Sequence, residues 1–159
     1  VAIAESSTSR NLVLLMVGDG DFLPVIQNLT KKLGLKRVIF TGKVPFGDVS
    51  RYYSMFDVLL YTPDTASGIK LAESMLTGTP VIIGPGHADV IITDGVNGFV
   101  AKQRTPESFA EKIIELEKMD SSAVSMLSKR IRESGNKMFG QSINEYLQLF
   151  NALTDTKSP

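Results

Sequence analysis

Short apolar runs that stop at glycine or proline recur along this chain, and each is followed by a stretch with helical spacing. Leu12–Val17 halts at Gly18-Asp19-Gly20, Val38–Phe40 at Gly42, Val58–Tyr61 at Thr62-Pro63, and Val81–Ile83 at Gly84-Pro85-Gly86. A fifth, shorter run is Gly98-Phe99-Val100. Runs that are continuously apolar, without a polar residue at every second place, belong to strands buried on both faces. Strands that alternate with helices make a parallel sheet with right-handed crossovers. The expectation is therefore an α/β domain with a parallel sheet of about five strands and helices on both faces. Ligands of such sheets sit beyond the carboxyl ends of the strands, where the glycine and proline stops converge.

The helices follow from local signals. Phe22 to Leu33 carries Phe22, Val25, Ile26, Leu29 and Leu33 at helical spacing and ends at Gly34. Asp48 is expected to cap a short helix through Tyr52 and Tyr53. Tyr52, Tyr53 and Phe56 read as core and support. Ala88–Ile92 reads as a short helix and Asp94-Gly95 as a turn. Thr105 caps a helix from Pro106 to about Lys118, with Phe109, Ile113, Ile114 and Leu116 inward. Ser121 or Ser122 is expected to cap Val124–Met138. Ser142–Leu153 carries Ile143, Tyr146, Leu147 and Phe150 on one face. Residues 1–153 read as a single domain and 154–159 as a tail.

The stretch from Ser67 to Ile83 carries the chemistry. It opens a helix at Gly68, ends it at Gly78, and leads into Val81–Ile83. Leu71, Met75 and Leu76 are placed to face a core, and Glu73 lies on another side. A helix that opens at a glycine offers free N–H groups and a dipole that favours an anion such as phosphate. A carboxylate just over one turn inside can accept two ribose hydroxyls. Together they suggest a site for a nucleoside diphosphate sugar.

Composition narrows the classes. The 159 residues hold 17 basic and 17 acidic side chains, so no bulk field favours nucleic acid or an anionic membrane. Cysteine is absent and histidine occurs once, which argues against a disulfide framework and a thiolate or His-rich metal centre. No apolar run approaches the roughly 20 residues that span a bilayer. Val1–Arg10 lacks the pattern of a signal peptide, so the expected location is cytoplasmic, with any membrane association left to a longer protein. No metal and no cofactor are expected. Gly18-Asp19-Gly20 lacks the third glycine of a dinucleotide fingerprint, because Leu23 and Pro24 follow.

The ordered motifs resemble the donor-binding half of family-four retaining glycosyltransferases. They are Val17-Gly18-Asp19-Gly20, Val38–Pro45, Asp57–Pro63, the Glu73 helix, Gly78-Thr79-Pro80-Val81 and Asp94–Val100. The likeness runs over about Leu12 to Lys118. It implies a Rossmann-like domain that is one half of a GT-B fold. It also implies an enzyme that transfers a hexose from a UDP- or GDP-sugar to an acceptor with retention, in glycan biosynthesis. On this likeness Glu73 matches the second of two glutamates eight positions apart and would hold the ribose. Gly68, Ile69 and Lys70 match the helix start that meets the distal phosphate. Lys43 and Val44 match the turn flanking the base, and Gly18 and Gly20 a turn facing the cleft.

The sequence departs from the family pattern in four places. Thr65 stands where the first glutamate belongs, with Asp64 one place off. Thr65 is retained as a sugar-side residue, and no catalytic residue is assigned. Pro85-Gly86-His87 replaces a usual pair of glycines, and His87 reads more readily as a cap or surface residue than as one lining the cleft. Thr93 replaces a common acidic residue. The family's first strand, with its diphosphate-binding Arg and Lys, should precede residue 1, and the N-terminal acceptor domain is missing. The expectation is one domain of a longer protein, inactive in transfer by itself. Two other readings stay open: a non-catalytic nucleotide-binding or interaction domain, and a sugar-nucleotide epimerase of the same fold.

Overall fold

The computed structural model describes residues 12–62, 68–86 and 91–140. Strand β1 (Leu14–Val17) lies parallel to β2 (Val38–Gly42). Strands β3 (Leu59–Tyr61), β4 (Val81–Ile83) and β5 (Phe99–Val100) form a second parallel set in the order β3-β4-β5. The helices are α1 (Leu23–Lys32), α2 (Val49–Met55), α3 (Gly68–Thr77), α4 (Pro106–Glu117) and α5 (Ser121–Gly135). A 3-10 turn, Phe46–Asp48, leads into α2, and a π turn, Asn136–Gly140, extends α5. No described helix is long and apolar enough to cross a membrane.

The class is the expected one, but among the described residues the five strands form two hydrogen-bonded sets and not one sheet. The described residues place no strand between β1 and β3.

The core sits under the triplet. Val81, Ile82 and Ile83 are consecutive and all fully buried, so both faces of β4 are covered. Leu71 and Met75 of α3, Phe109 and Ile113 of α4, and Leu127 and Ile131 of α5 complete the cluster. The pair is covered less. Phe22, Val25, Leu29 and Leu33 beside and along α1 point outward, as do Leu14, Val17 and Ile39. Leu76 also departs from expectation: it is 38% exposed, because Leu71 and Met75 already fill the face that α3 turns to the core.

Helix ends show which caps won. Thr105 accepts a hydrogen bond from the Ser108 N–H at 3.3 Å, as expected, with Pro106 in the first turn. At α5 the cap is Asp120, whose Oδ1 accepts from the Ala123 N–H at 2.8 Å, and not Ser121 or Ser122. Asp48 makes no side-chain cap; it pairs instead with Arg51 at 3.2 Å. The predicted helices over 88–92 and 142–153 fall wholly or largely outside the described residues.

The Asp94–Gly98 turn joins β4 to β5 through side chains. Asn97 Oδ1 accepts from the Thr93 N–H at 2.6 Å, and its Nδ2 donates to the Ile91 carbonyl at 3.1 Å. Asp94 Oδ1 accepts from the Val100 N–H, and its Oδ2 from Lys112 Nζ, both at 2.8 Å. Burial by itself would raise the Asp94 pKa. The Lys112 and Val100 hydrogen bonds and the Lys112 charge outweigh it and hold the carboxyl below its ordinary value of 3.8. A depressed folded-state pKa gives stability that is present above the unfolded value and fades as pH falls through the folded one. The urea midpoint should therefore drop as pH is lowered below 3.8, and Asp94→Asn should flatten that part of the profile. Parallel profiles for the two proteins would contradict this.

Candidate nucleotide-sugar site

Helix α3 begins at Gly68, seven residues beyond the last residue of β3, so its N-terminus rises from the carboxyl-end side of the triplet. Its first turn holds no acidic side chain, and Lys70 lies within it. The positive end of the helix dipole is thus not offset by a carboxylate in that turn, which suits an arriving anion. Gly68 is half-buried, while Ile69 and Lys70 are exposed.

Glu73 is half-buried on the side of α3 that meets α2. The buried Tyr53 of α2 lies near it, across the α2–α3 contact. Burial first, then the nearby Glu73 carboxylate, push the Tyr53 phenol pKa far up from its ordinary value of 10. The backbone around this pair is tied down. Thr79 Oγ1 donates to the Tyr53 carbonyl at 2.7 Å, and Ser74 Oγ donates to the Thr79 carbonyl at 3.0 Å. Gly78 turns the chain from α3 into β4 with a φ of +78°, a left-handed conformation that favours glycine.

The other predicted site residues belong to the strand pair. The Gly18 N–H donates to the Gly42 carbonyl at 3.0 Å, which brings the end of β1 against the end of β2. Lys43 follows directly and is exposed, Val44 is half-buried, and Gly20 is exposed. The structure therefore brings the candidates into two groups, Gly18, Gly20, Lys43 and Val44 in one, and Gly68, Ile69, Lys70 and Glu73 in the other. Thr65, with Asp64 and His87, lies outside the described residues. Among the described residues no three His, Cys, Asp or Glu side chains are grouped to hold a metal.

Two residues at the site escaped the sequence reading of function. Tyr53 reads in the sequence as core and support; in the fold it is buried where α2 meets α3, near Glu73. Arg104 reads in the sequence as one more polar residue before α4. In the fold its Nε donates to the Pro85 carbonyl and its Nη1 to the Thr62 carbonyl, each at 3.0 Å. It straps the carboxyl ends of β3 and β4, where a ligand of this sheet class sits. No local signal could have shown this, because Thr62 is 42 residues away in the chain.

Comparison with known proteins agrees with the architecture. A family model described as glycosyl transferases group 1 matches residues 2–138. A glycosyltransferase of Methanocaldococcus jannaschii is 25% identical over 152 residues, which is 92% of this chain and 38% of that protein. Anabaena HepE, solved in complex with UDP-glucose, superposes with a TM-score of 0.76 at 24% identity, over 92% of this chain and 43% of that one. S. aureus TarM, solved with UDP among its ligands, superposes at 0.79 and 18% identity, over 94% of this chain and 31% of that one. This chain spans less than half the length of each of these relatives. Its fold is one half of a GT-B architecture, and the chain belongs to the group 1 glycosyl transferase family.

Proposed function

We propose that this chain, over residues 1–153, is the donor-binding domain of a retaining glycosyltransferase that uses a UDP- or GDP-sugar. The observation that carries the reading is α3: an N-terminus clear of acidic residues, with a half-buried carboxylate just over one turn inside. The diphosphate would meet the N–H groups of Gly68 and Ile69 and the Lys70 ammonium. Glu73 would accept the ribose hydroxyls. Lys43 and Val44 would flank the base, with Gly18 and Gly20 lining the opposite wall and Thr65 on the sugar side. UDP and UDP-glucose bound to structural neighbours support a nucleotide-sugar ligand.

On this reading the departing nucleoside diphosphate gathers negative charge as the bond to the sugar breaks. Fixed helix N–H groups and cationic side chains stabilise that charge without reorganising. The acceptor would come from a separate N-terminal domain. The whole protein would act in glycan biosynthesis, in the cytoplasm.

Calorimetric titration with UDP, GDP and ADP tests the proposal. One of them should bind, and Glu73→Ala should weaken it by about 1–3 kcal/mol, the loss typical of a charged hydrogen-bond partner. Equal affinity in both proteins would remove Glu73 from the site. Failure of all three nucleotides at millimolar concentration would count against the donor-binding reading itself.

A further inference from the structure

The hydrogen-bonded ladder between β3 and β4 ends at the pair Tyr61 and Ile83. One residue past it on β3 and two past it on β4, the Thr62 and Pro85 carbonyls are both held by Arg104. We infer that Arg104 is a positioning residue for the distal phosphate. It carries the join between the two strands past their ladder and so keeps the approach to the α3 N-terminus ready for a diphosphate. This role presupposes the donor-binding reading of α3 and deepens it, by adding a residue that acts on the phosphate through the backbone.

The geometry carries the assignment. Arg104 Nε donates to the Pro85 carbonyl and Nη1 to the Thr62 carbonyl, each at 3.0 Å. A planar guanidinium presents its donors in a rigid fork, so two bonds from it fix how the two carbonyls stand to each other. Gly84 makes room for the side chain. A Cβ on Gly84 would lie 2.8 Å from Arg104 Cγ and 3.3 Å from Cζ and Nη1, so the arginine rests directly on bare backbone. Thr62 stands six residues before Gly68, where α3 begins. The chain that leads to that helix start is therefore held at its near end. Lys43 and Val44, read as flanking the base, follow β2 in the other strand set. The hold of Arg104 thus falls on the phosphate end of the ligand and not on its base. A binding segment fixed beforehand removes an ordering cost from association.

A guanidinium that only stabilised the fold would, when lost, lower the melting temperature and weaken every nucleotide alike. The positioning role separates UDP from UMP, two probes that share base and ribose and differ by the distal phosphate. Arg104 is exposed, so Arg104→Ala in the full chain removes both donors and leaves the core intact. It should weaken UDP binding roughly 3- to 10-fold, because a segment once held ready must now be ordered on binding, and leave UMP within about twofold of wild type. Arg104→Lys should lose as much, since a single ammonium keeps the charge and lacks the fork. Gly84→Ala keeps the arginine and fills its seat. It should cause the same selective loss by itself, and no further loss on top of Arg104→Ala. Wild-type UDP affinity in any of the three variants, or an equal loss for UDP and UMP, would overturn the inference and leave the donor-binding reading intact. A wild type that fails to bind UDP, or binds it no more tightly than UMP, would instead count against the donor-binding reading of α3, and the role of Arg104 would fall with it.

Discussion

Ile82→Ala is expected to lower stability by about 2–5 kcal/mol, the range for truncating a fully buried aliphatic side chain. Ile82 is 0% exposed at the middle of β4, in register with Leu60 on β3 and Phe99 on β5. Its three lost carbons leave a cavity between strands that are held on both sides and so close up only in part. At roughly 2–4 °C per kcal/mol for a domain of this size, a 3 kcal/mol loss lowers the melting temperature by about 6–12 °C. Ile39 on β2 is the control, because it is 53% exposed in this fold. Ile39→Ala should cost less than about 1 kcal/mol, as little apolar area leaves water there. Equal losses in thermal or urea unfolding would mean that the core does not sit under the triplet.

Gly135→Leu should be nearly as damaging, at about 2–3 kcal/mol. Gly135 is the last residue of α5 and packs against α3 without a side chain between them. A Cβ there would lie 2.9 Å from Met75 Cβ, 3.0 Å from the Met75 carbonyl carbon and 3.2 Å from the Leu76 nitrogen. Those atoms belong mostly to helix backbone, so relief requires α3 itself to move. Because α3 carries both Gly68 and Glu73, nucleotide affinity should fall together with stability. Gly140→Leu, where a Cβ meets nothing within 4 Å, should do neither. A Gly135→Leu protein with wild-type melting and wild-type nucleotide affinity would show that the α3–α5 contact is looser than the structure has it.

Features set by neighbouring residues could be read in advance, and those set by distant ones could not. The Thr105 cap was legible because its partner, Ser108, is three residues away. The α5 cap was read as Ser121 or Ser122 and fell instead to Asp120 just before them, an equally good cap former. The reach of Asp120 Oδ1 to the Ala123 N–H, 2.8 Å, decided among them. Leu71, Met75 and Leu76 all fit one stripe of α3, yet only the first two are buried, since a helix face narrower than its apolar stripe leaves one edge in solvent. Glu73 stood out because it follows a glycine helix start. The nearness of Tyr53 could not be foreseen, as Tyr53 lies on another helix.

By itself the sequence determined the strand and helix alternation, the parallel α/β class, most element ends, and the helix that opens at Gly68 with Glu73 inside it. These follow from apolar periodicity and from glycine, proline and cap residues, which act over a few bonds. Only the tertiary structure decided that the strands form a pair and a triplet, that the core lies under the triplet, that Tyr53 is buried near Glu73, and that Arg104 ties Thr62 to Pro85. Each of those depends on which surfaces meet across long stretches of chain, and that is settled by packing and by the pairing of polar groups in three dimensions.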